Sequence, residues 1–185
     1  SWLDEISFEC DEAFSCGADV DDLNFKGRSV LVVGGSSGIG NAIAQAFRHH
    51  GAEVHVWGTR TSASDYNIAE GSDLSGLHYA QVDVGDFAAI EAFQPAFDKL
   101  DVLILSQGIV LYGRREFGME GFRRIIDVNL NSLMACSLKF HGMLKASRGS
   151  IIILSSMAGF RSTKGNPAYN ASKAGAVGLT RTLGE

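Results

Sequence analysis

Two residues able to carry out proton transfer stand four positions apart near the end of the chain. Tyr169 and Lys173 lie in the segment NPAYNASKAG, where the other side chains are small or carry an amide. Residues at i and i+4 share one face of a helix, so the phenol and the ammonium group would point the same way. A free phenol has a pKa near 10, and a nearby positive charge favours the phenolate. The pair is a candidate general acid–base, although this spacing alone is common and carries little weight.

A glycine-rich turn, GGSSGIG, follows the apolar run RSVLVV and precedes a helical pattern that stops at Gly51. Such a turn presents free N–H groups and the positive end of a helix dipole to a dinucleotide pyrophosphate. A tight connection without a ligand would use the same glycines. The main evidence for a dinucleotide site is therefore the position of the turn directly after the first strand. The candidate cofactor contacts in the turn are Gly34, Ser36, Ser37, Gly38, Ile39 and Gly40.

From Lys26 onward, apolar runs of strand length alternate with helical patterns. The predicted strands are 28–33, 52–58, 77–84, 100–108 and 149–156, and the predicted helices include 87–93, 119–147 and one from Pro167. Strands that are apolar throughout and separated by helices indicate a parallel sheet covered on both faces. The pattern therefore predicts an α/β fold, a Rossmann-type doubly wound parallel sheet in three layers with five visible strands in the order 3-2-1-4-5. Ligands of such sheets bind beyond the carboxyl ends of the strands.

The end of the second strand, VWGTR, bears on the choice of cofactor. A carboxylate at this point would accept hydrogen bonds from the adenosine ribose and favour NAD(H). Here Gly58 is followed by Thr59 and Arg60, and a hydroxyl with a guanidinium suits a 2′-phosphate. The pattern favours NADP(H) over NAD(H), while the simpler reading of Arg60 as a solvated loop charge stays open.

Taken together, these motifs resemble the short-chain dehydrogenase/reductase family, in the type that carries an Asn-Ser-Tyr-Lys tetrad. The supporting segments are the GxxxGxG turn, VDV at 82–84, VNL at 128–130, SS at 155–156 and YNASK at 169–173. The resemblance runs from about Phe25 to the last residue. It places the catalytic tetrad on Asn129, Ser156, Tyr169 and Lys173. Ser156 has the family's thirteen-residue interval to the tyrosine, and Ser155 is one position too far.

The resemblance also implies a role for each residue. Tyr169 would act as general acid or base, Ser156 would hold the substrate oxygen, and Asn129 would help order a water that feeds protons to Lys173. Asp83 would contact the adenine, with Val84 beside it. The cofactor-binding residues implied beyond the glycine turn are Thr59, Arg60, Asp83, Val84, Gly108, Tyr169 and Lys173.

The chain departs from the family pattern at three places. The Thr that precedes the first glycine in the family is Val33 here, which removes a hydroxyl near the cofactor loop. The Asn-Asn-Ala-Gly stretch after the fourth strand appears as LSQG, residues 105–108, so local bonding must be rearranged around Ser106 and Gln107. The chain also ends at Glu185, inside the helix that carries the tyrosine, and we expect the domain to be incomplete at its C-terminal side. The part of the family domain beyond that point includes the substrate-covering loop and much of the subunit interface.

Two functions from different classes follow. The first is an NAD(P)(H)-dependent oxidoreductase that interconverts a ketone and a secondary alcohol, with a small-molecule carbonyl or alcohol as substrate. The second is a non-catalytic dinucleotide-binding protein with a regulatory or interaction role. The family resemblance implies a homo-oligomer in either case.

The composition and charge of the chain limit its possible ligands, partners and location. Residues 1–22 carry eight acidic and no basic side chains, so we expect residues 1–23 to form an acidic extension, solvated or packed as a helix, before a domain at 24–185. No basic stripe indicates nucleic acid, and the longest apolar runs are too short for a membrane span. Three cysteines and five histidines show no metal-ligand spacing, so no metal is expected. Without a visible secretory signal, a cytoplasmic location is expected.

Overall fold

A computed structural model describes residues 23–185, and the acidic segment 1–22 lies outside the described residues. A single parallel sheet runs through this part of the chain in the order β3-β2-β1-β4-β5. This confirms the predicted fold class and strand order. The strands are β1 (Ser29–Val33), β2 (Glu53–Gly58), β3 (His78–Gln81), β4 (Val102–Leu105) and β5 (Ser150–Ile153).

Five α-helices connect or follow these strands. They are α1 (Gly38–His49), α2 (Phe87–Ala92), α3 (Met119–Ile126), α4 (Ser132–Ser147) and α5 (Pro167–Leu183). The predicted long helix at 119–147 is present, but a π-helical turn at Asp127–Asn131 separates α3 from α4. Pro167 occupies the first turn of α5, where its missing N–H breaks no helical hydrogen bond.

Helices cover both faces of β1, which gives the domain its three layers of helices, sheet and helices. All five residues of this strand are buried, and alternate side chains point to opposite sides of the sheet. Val30 and Val32 pack with Ala44 of α1 on one face. Leu31 and Val33 belong to the other core, which includes residues of α2, α4 and α5. The central strand is therefore sandwiched between helices, and its carboxyl end is fixed by both cores.

Several strands end earlier than the sequence predicts. β3 ends at Gln81 and not at 84, and β4 ends at Leu105 and not at 108. Residues 82–84 and 106–108 form the loops that follow, and these loops line the cavity described below. The apolar run of the third strand continues past the strand end because Val82 and Val84 pack in the same core as Leu31 and Val33.

None of the helices within residues 23–185 has the length and apolar character that crossing a bilayer requires.

Candidate active site

A cavity of about 1100 Å³ opens at the carboxyl ends of β1, β2, β3 and β4. Its volume is slightly above the range of about 300–1,000 Å³ that is usual for small-molecule and cofactor sites. Nine of the predicted cofactor contacts line it, namely Gly34, Ser36, Ser37, Ile39, Gly40, Thr59, Asp83, Val84 and Gly108. The other four predicted contacts, Gly38, Arg60, Tyr169 and Lys173, are not part of this lining.

The glycines of the turn are required by close backbone approaches. A Cβ on Gly40 would lie 2.2 Å from the carbonyl oxygen of Gly34 and 2.5 Å from the Ser106 Oγ. Gly34 and Gly38 have φ of 76° and 55°, a region that side-chain-bearing residues seldom adopt. The first turn of α1 is therefore held close to β1 and β4, with its N-terminal end directed toward the cavity.

Asn41 is a buried residue of α1 that sequence reasoning missed. Its Nδ2 donates hydrogen bonds to the carbonyl oxygens of Gly35, at 3.2 Å, and Asp73, at 2.8 Å. Its Oδ1 accepts from the backbone N–H of Asp73 at 2.9 Å. These bonds join the glycine turn to the segment that precedes β3.

The end of β2 is crowded at Gly58. A Cβ there would lie 2.4 Å from both the Ser36 Oγ and the Tyr66 Oη. An acidic residue at position 58, which would favour NAD(H), would fit only if the side chains of Ser36 and Tyr66 both moved. Gly58 and Thr59 therefore line this part of the cavity, and neither residue carries a carboxylate.

Arg60 is engaged outside the cavity. Its guanidinium contacts the carbonyl oxygen of Asp65, pairs with the Glu70 Oε2 at 3.3 Å and lies 4.6 Å from the centroid of the Tyr66 ring. A guanidinium held in this way has to release Glu70 before it can meet a 2′-phosphate. The preference for NADP(H) remains a prediction.

Tyr169 and Lys173 share one face of α5, as their spacing predicts. The Lys173 Nζ lies 5.8 Å from the centroid of the Tyr169 ring and donates a hydrogen bond of 2.9 Å to the carbonyl oxygen of Leu154. Lys173 is buried, and this burial lowers the pKa of its ammonium group. Loss of solvation strengthens the interaction of that charge with any nearby anion.

The two adjacent serines have different hydrogen bonds. The Ser155 Oγ donates to the carbonyl oxygen of Lys173 at 2.9 Å, which ties the end of β5 to α5. The Ser156 Oγ accepts from the backbone N–H of Ala158 at 3.1 Å, so its own O–H remains available as a donor. Ser156 therefore keeps a hydroxyl hydrogen for a further acceptor, and its role in holding the substrate oxygen stays a prediction.

Asn129 lies fully buried in the π-helical turn. Its Oδ1 accepts from the N–H of Ile109 at 2.8 Å, and its Nδ2 donates to the carbonyl oxygen of Ile109 at 2.9 Å. The Nδ2 also lies 3.3 Å from the Ser172 Oγ, which donates to the carbonyl oxygen of Tyr169. The asparagine side chain therefore braces the loop after β4 and connects it to α5.

Gly108 lies between the cavity and two of the four predicted tetrad residues. A Cβ on this residue would lie 3.6 Å from the Asn129 Oδ1 and 3.7 Å from the Lys173 Nζ. Gly108 itself lines the cavity. Asn129 and Lys173 consequently stand at one side of the cavity, just beyond the loop that follows β4.

Ser106 and Gln107 stand where the resemblance places Asn and Ala, and the structure shows the hydrogen bonds that their side chains make. The Ser106 Oγ donates to the carbonyl oxygen of Val33 at 2.7 Å, which links β4 to β1. The Gln107 Nε2 donates to the Ser132 Oγ at 2.9 Å. The Gln107 Oε1 is buried and finds no hydrogen-bond partner among residues 23–185. A buried acceptor at the cavity wall favours a ligand or water with a donor group.

Glu116 is the second residue that sequence reasoning missed. It is fully buried, and its Oε2 accepts from the backbone N–H of Tyr169 at 2.9 Å. Its Oε1 accepts from the N–H of Leu111 at 3.2 Å and from the Asn166 Nδ2 at 3.1 Å. The polar context YGRREFG gives no sign of this role, because the partners lie up to 53 positions away.

These features fit a dinucleotide. The glycine turn and the first turn of α1 present backbone N–H groups of the kind that bind a pyrophosphate. The Gln107 Oε1 is a buried acceptor without a partner among residues 23–185, as a nicotinamide amide would need. In the described part of the chain, the residues that would hold the cofactor are those of the cavity lining, and a contact between Lys173 and the cofactor stays a prediction.

Comparisons with known proteins agree with this geometry. A family model described as short chain dehydrogenase matches residues 28–185. The chain is 35% identical over 168 residues to 2-dehydro-3-deoxy-L-rhamnonate dehydrogenase (NAD(+)) of Sphingomonas sp., covering 87% of this chain and 66% of that protein. It is 34% identical over 176 residues to the 3-oxoacyl-(acyl-carrier-protein) reductase of Escherichia coli, covering 87% and 68%.

Solved structures give the same result. Aldohexose dehydrogenase of Thermoplasma acidophilum, in ligand-free form, superposes with a TM-score of 0.74 at 30% identity, covering 88% of this chain and 62% of that one. The chain spans about two thirds of the length of the curated relatives it matches.

Proposed function

This chain belongs to the short chain dehydrogenase family, and on that premise we propose that it interconverts a ketone and a secondary alcohol with a nicotinamide dinucleotide. The observation that carries the proposal is the pair on α5, in which the Lys173 Nζ lies 5.8 Å from the centre of the Tyr169 ring. The same lysine stands beside Gly108 at the edge of the cavity. A proton donor and a cation next to a cofactor-sized cavity are the parts that carbonyl reduction requires.

Tyr169 is the proposed general acid and base. The bound cofactor supplies or accepts the hydride. In reduction the phenol hydroxyl gives its proton to the substrate oxygen, and in oxidation the phenolate takes that proton back. Lys173 is proposed to supply a positive charge beside Tyr169, since its only assigned partner in the described structure is the neutral carbonyl of Leu154.

Ser156 and Asn129 are proposed to position the other groups. The free O–H of Ser156 would donate to the substrate oxygen. Both Nδ2 hydrogens of Asn129 are used by Ile109 and Ser172, and its Oδ1 accepts from the Ile109 N–H. The Oδ1 keeps a second lone pair, through which Asn129 would help order a water that feeds protons to Lys173.

NADP(H) is the proposed preferred cofactor. Its support is the crowding at Gly58, which leaves the strand end without a carboxylate, and the presence of a hydroxyl at Thr59 and a guanidinium at Arg60. Binding of the 2′-phosphate would replace the Glu70 partner of Arg60, because a phosphate oxygen is the stronger acceptor for a guanidinium.

A small-molecule carbonyl or alcohol is the proposed substrate class. Relatives named for oxidation or reduction of such compounds, including a D-threitol dehydrogenase of Mycolicibacterium smegmatis at 30% identity over 169 residues, support it. We also propose a homo-oligomer, supported by the exposure of Met134 and Leu138 one turn apart on α4. Sedimentation equilibrium tests this point, and a single monomeric species at micromolar concentration would contradict it.

The activity is tested with purified protein, NADPH or NADH, and a panel of ketones that includes sugar acids, acyl thioesters and small cyclic ketones. Cofactor oxidation is followed together with chromatographic detection of the alcohol. Cofactor affinity is measured separately by fluorescence titration. Turnover of at least one ketone supports the proposal. Tight cofactor binding without turnover of any ketone or alcohol would favour the non-catalytic alternative.

A further inference from the structure

Three side chains of metal-ligand type meet on one face of the sheet, away from the cavity. Glu53 and His55 are two positions apart on β2, and their side chains therefore point to the same face. His78 is the cross-strand partner of His55 in the parallel pairing of β2 with β3. The three side chains are brought together by strand register, which explains why the sequence spacing predicted no metal site.

The distances are close to those of a ligand set. The His55 Nε2 lies 3.3 Å and the His78 Nε2 lies 3.9 Å from the Glu53 Oε1. One ligand atom from each residue lies within 4.8 Å of the others. Ligands placed tetrahedrally around zinc, with bonds of about 2.0–2.1 Å, stand roughly 3.4 Å apart. Small rotations of the two outer side chains would close the remaining gap.

The two histidine rings stack on each other. The rings of His55 and His78 have centroids 4.7 Å apart and an interplanar angle of 23°. The buried ring of His55 also packs against Phe97, with centroids 4.5 Å apart. A metal ion lies in the plane of each imidazole that binds it, so the exposed ring of His78 would have to turn out of this stack to share an ion with His55, which the core holds in place.

The opposite side of the cluster is open to solvent. The side chains of Glu53 and His78 are 57% and 62% exposed. A metal ion could enter without rearrangement of the core, and water could complete a four-ligand shell. As an isolated ion pair at the surface, the same contact would stabilise the fold only slightly.

We propose that Glu53, His55 and His78 form a binding site for a divalent transition-metal ion, with zinc as the best match. Two imidazoles and one carboxylate with an open fourth position are an established zinc ligand set, and imidazole ligands disfavour Mg²⁺ and Ca²⁺. The ion would join the four-residue strand β3 to β2.

This site is separate from the proposed active site. The cavity is lined by residues 57–58 at the end of β2, by Thr59 after it and by residues 82–86 after β3, at the carboxyl ends of the two strands. The metal ligands lie in the amino-terminal halves of the same strands. The ion would hence stabilise the sheet and take no part in hydride transfer.

The test uses tag-free protein stripped of metal with a chelator and titrated with Zn²⁺ by calorimetry. Co²⁺ absorption spectra report the ligand geometry. We expect one ion per chain, and weaker binding by at least roughly tenfold in His78→Ala and in Glu53→Gln. Zn²⁺ should raise the unfolding temperature of the wild-type protein more than that of either variant.

Matched controls address other ligands in the chain. His49→Ala removes a histidine that has another histidine beside it but belongs to no ligand cluster, and it should bind Zn²⁺ as the wild type does. A Cys10→Ser and Cys16→Ser double variant removes the two thiols of the N-terminal segment and should also leave binding unchanged. Equal affinity in the wild type and His78→Ala, or loss of binding only in the cysteine variant, would overturn the proposal. The calorimetric affinity and the unfolding temperature are both independent of enzyme activity.

Discussion

The fully buried carboxylate of Glu116 accepts a hydrogen bond of 2.9 Å from the backbone N–H of Tyr169. This contact places a negative charge at the first turn of α5, where the helix dipole stabilises it. The same carboxylate binds the Leu111 amide and the Asn166 side chain. The orientation of the proposed proton donor thus depends on a residue that need not touch substrate or cofactor.

Glu116→Gln should destabilise the fold and lower kcat. The amide keeps the shape of the carboxylate, but its NH₂ group faces an N–H donor, which leaves two donors opposed. We expect a loss of about 1–3 kcal/mol in the free energy of unfolding. Urea denaturation measures this loss. The matched control is Glu91→Gln on the exposed side of α2, where a change within about 0.5 kcal/mol is expected.

The positioning role of Glu116 predicts a specific kinetic signature. At a temperature where Glu116→Gln remains folded, kcat should fall while the Kd of the cofactor changes little, because the cavity lining excludes Glu116. Equal losses in kcat and in cofactor affinity would instead indicate a general disturbance of the domain.

Lys173→Ala should abolish turnover and also weaken cofactor binding. The substitution removes a buried charge next to Tyr169 and a group that lies beside Gly108 at the cavity edge. Cofactor affinity is measured by fluorescence titration, and turnover by product formation. Lys145→Ala, at an exposed site on α4, is the control. Unchanged cofactor affinity in Lys173→Ala would show that the lysine does not reach the cofactor.

Arg60 and Glu70 should tune the choice of cofactor in opposite directions. Arg60→Ala should weaken NADPH binding by roughly tenfold, the value of one charge-assisted hydrogen bond, with little effect on NADH. Glu70→Gln removes the acidic partner of Arg60 and should strengthen NADPH binding. The ratio of the two Kd values is the measurement. An unchanged ratio in both variants, or a tenfold preference of the wild type for NADH, would contradict the proposed preference.

Asp101 should make the stability of the domain sensitive to acid. Burial by itself raises the pKa of this carboxyl, but hydrogen bonds from Lys99, the Ser29 amide and Arg28 outweigh burial and lower the pKa to about 2. The folded state therefore favours the charged form, and the resulting stability is present above the unfolded value of about 4. It is lost as the pH falls through about 2.

The contribution of Asp101 is on the order of 1 to 2 kcal/mol, after allowance for the half-exposed basic partners. Urea unfolding of the wild type and Asp101→Asn between pH 7 and pH 2 tests it. The wild type should be the more stable at neutral pH, and the difference should shrink below pH 4. A difference that stays constant over this range would assign the effect to packing and not to charge.

The sheet order and the glycine turn were predictable because they depend on local patterns. Alternating apolar runs and helices determine a parallel sheet, and Gly34, Gly38 and Gly40 follow from the backbone of a tight strand-to-helix turn. The shared face of Tyr169 and Lys173 follows from helical periodicity alone. The residues that mark these features lie within a few positions of one another.

Contacts between distant segments were not predictable. Glu116 meets Tyr169 across 53 positions, and a polar loop contains no signal that one of its carboxylates is buried. His55 meets His78 only through the pairing of β2 with β3. The engagement of Arg60 by Glu70 depends on the conformation of the loop between these strands. In each case the determining factor is tertiary geometry and not residue type.

The central claim, that Tyr169 is the proton donor and acceptor, is tested most directly by Tyr169→Phe. This substitution removes the hydroxyl with almost no change in volume. Turnover should fall by at least about a hundredfold, the usual contribution of general acid–base catalysis, while the Kd of the cofactor stays within about twofold. Tyr112→Phe, at an exposed tyrosine, should retain full activity. A Tyr169→Phe protein that keeps more than about a tenth of the wild-type turnover would contradict the account.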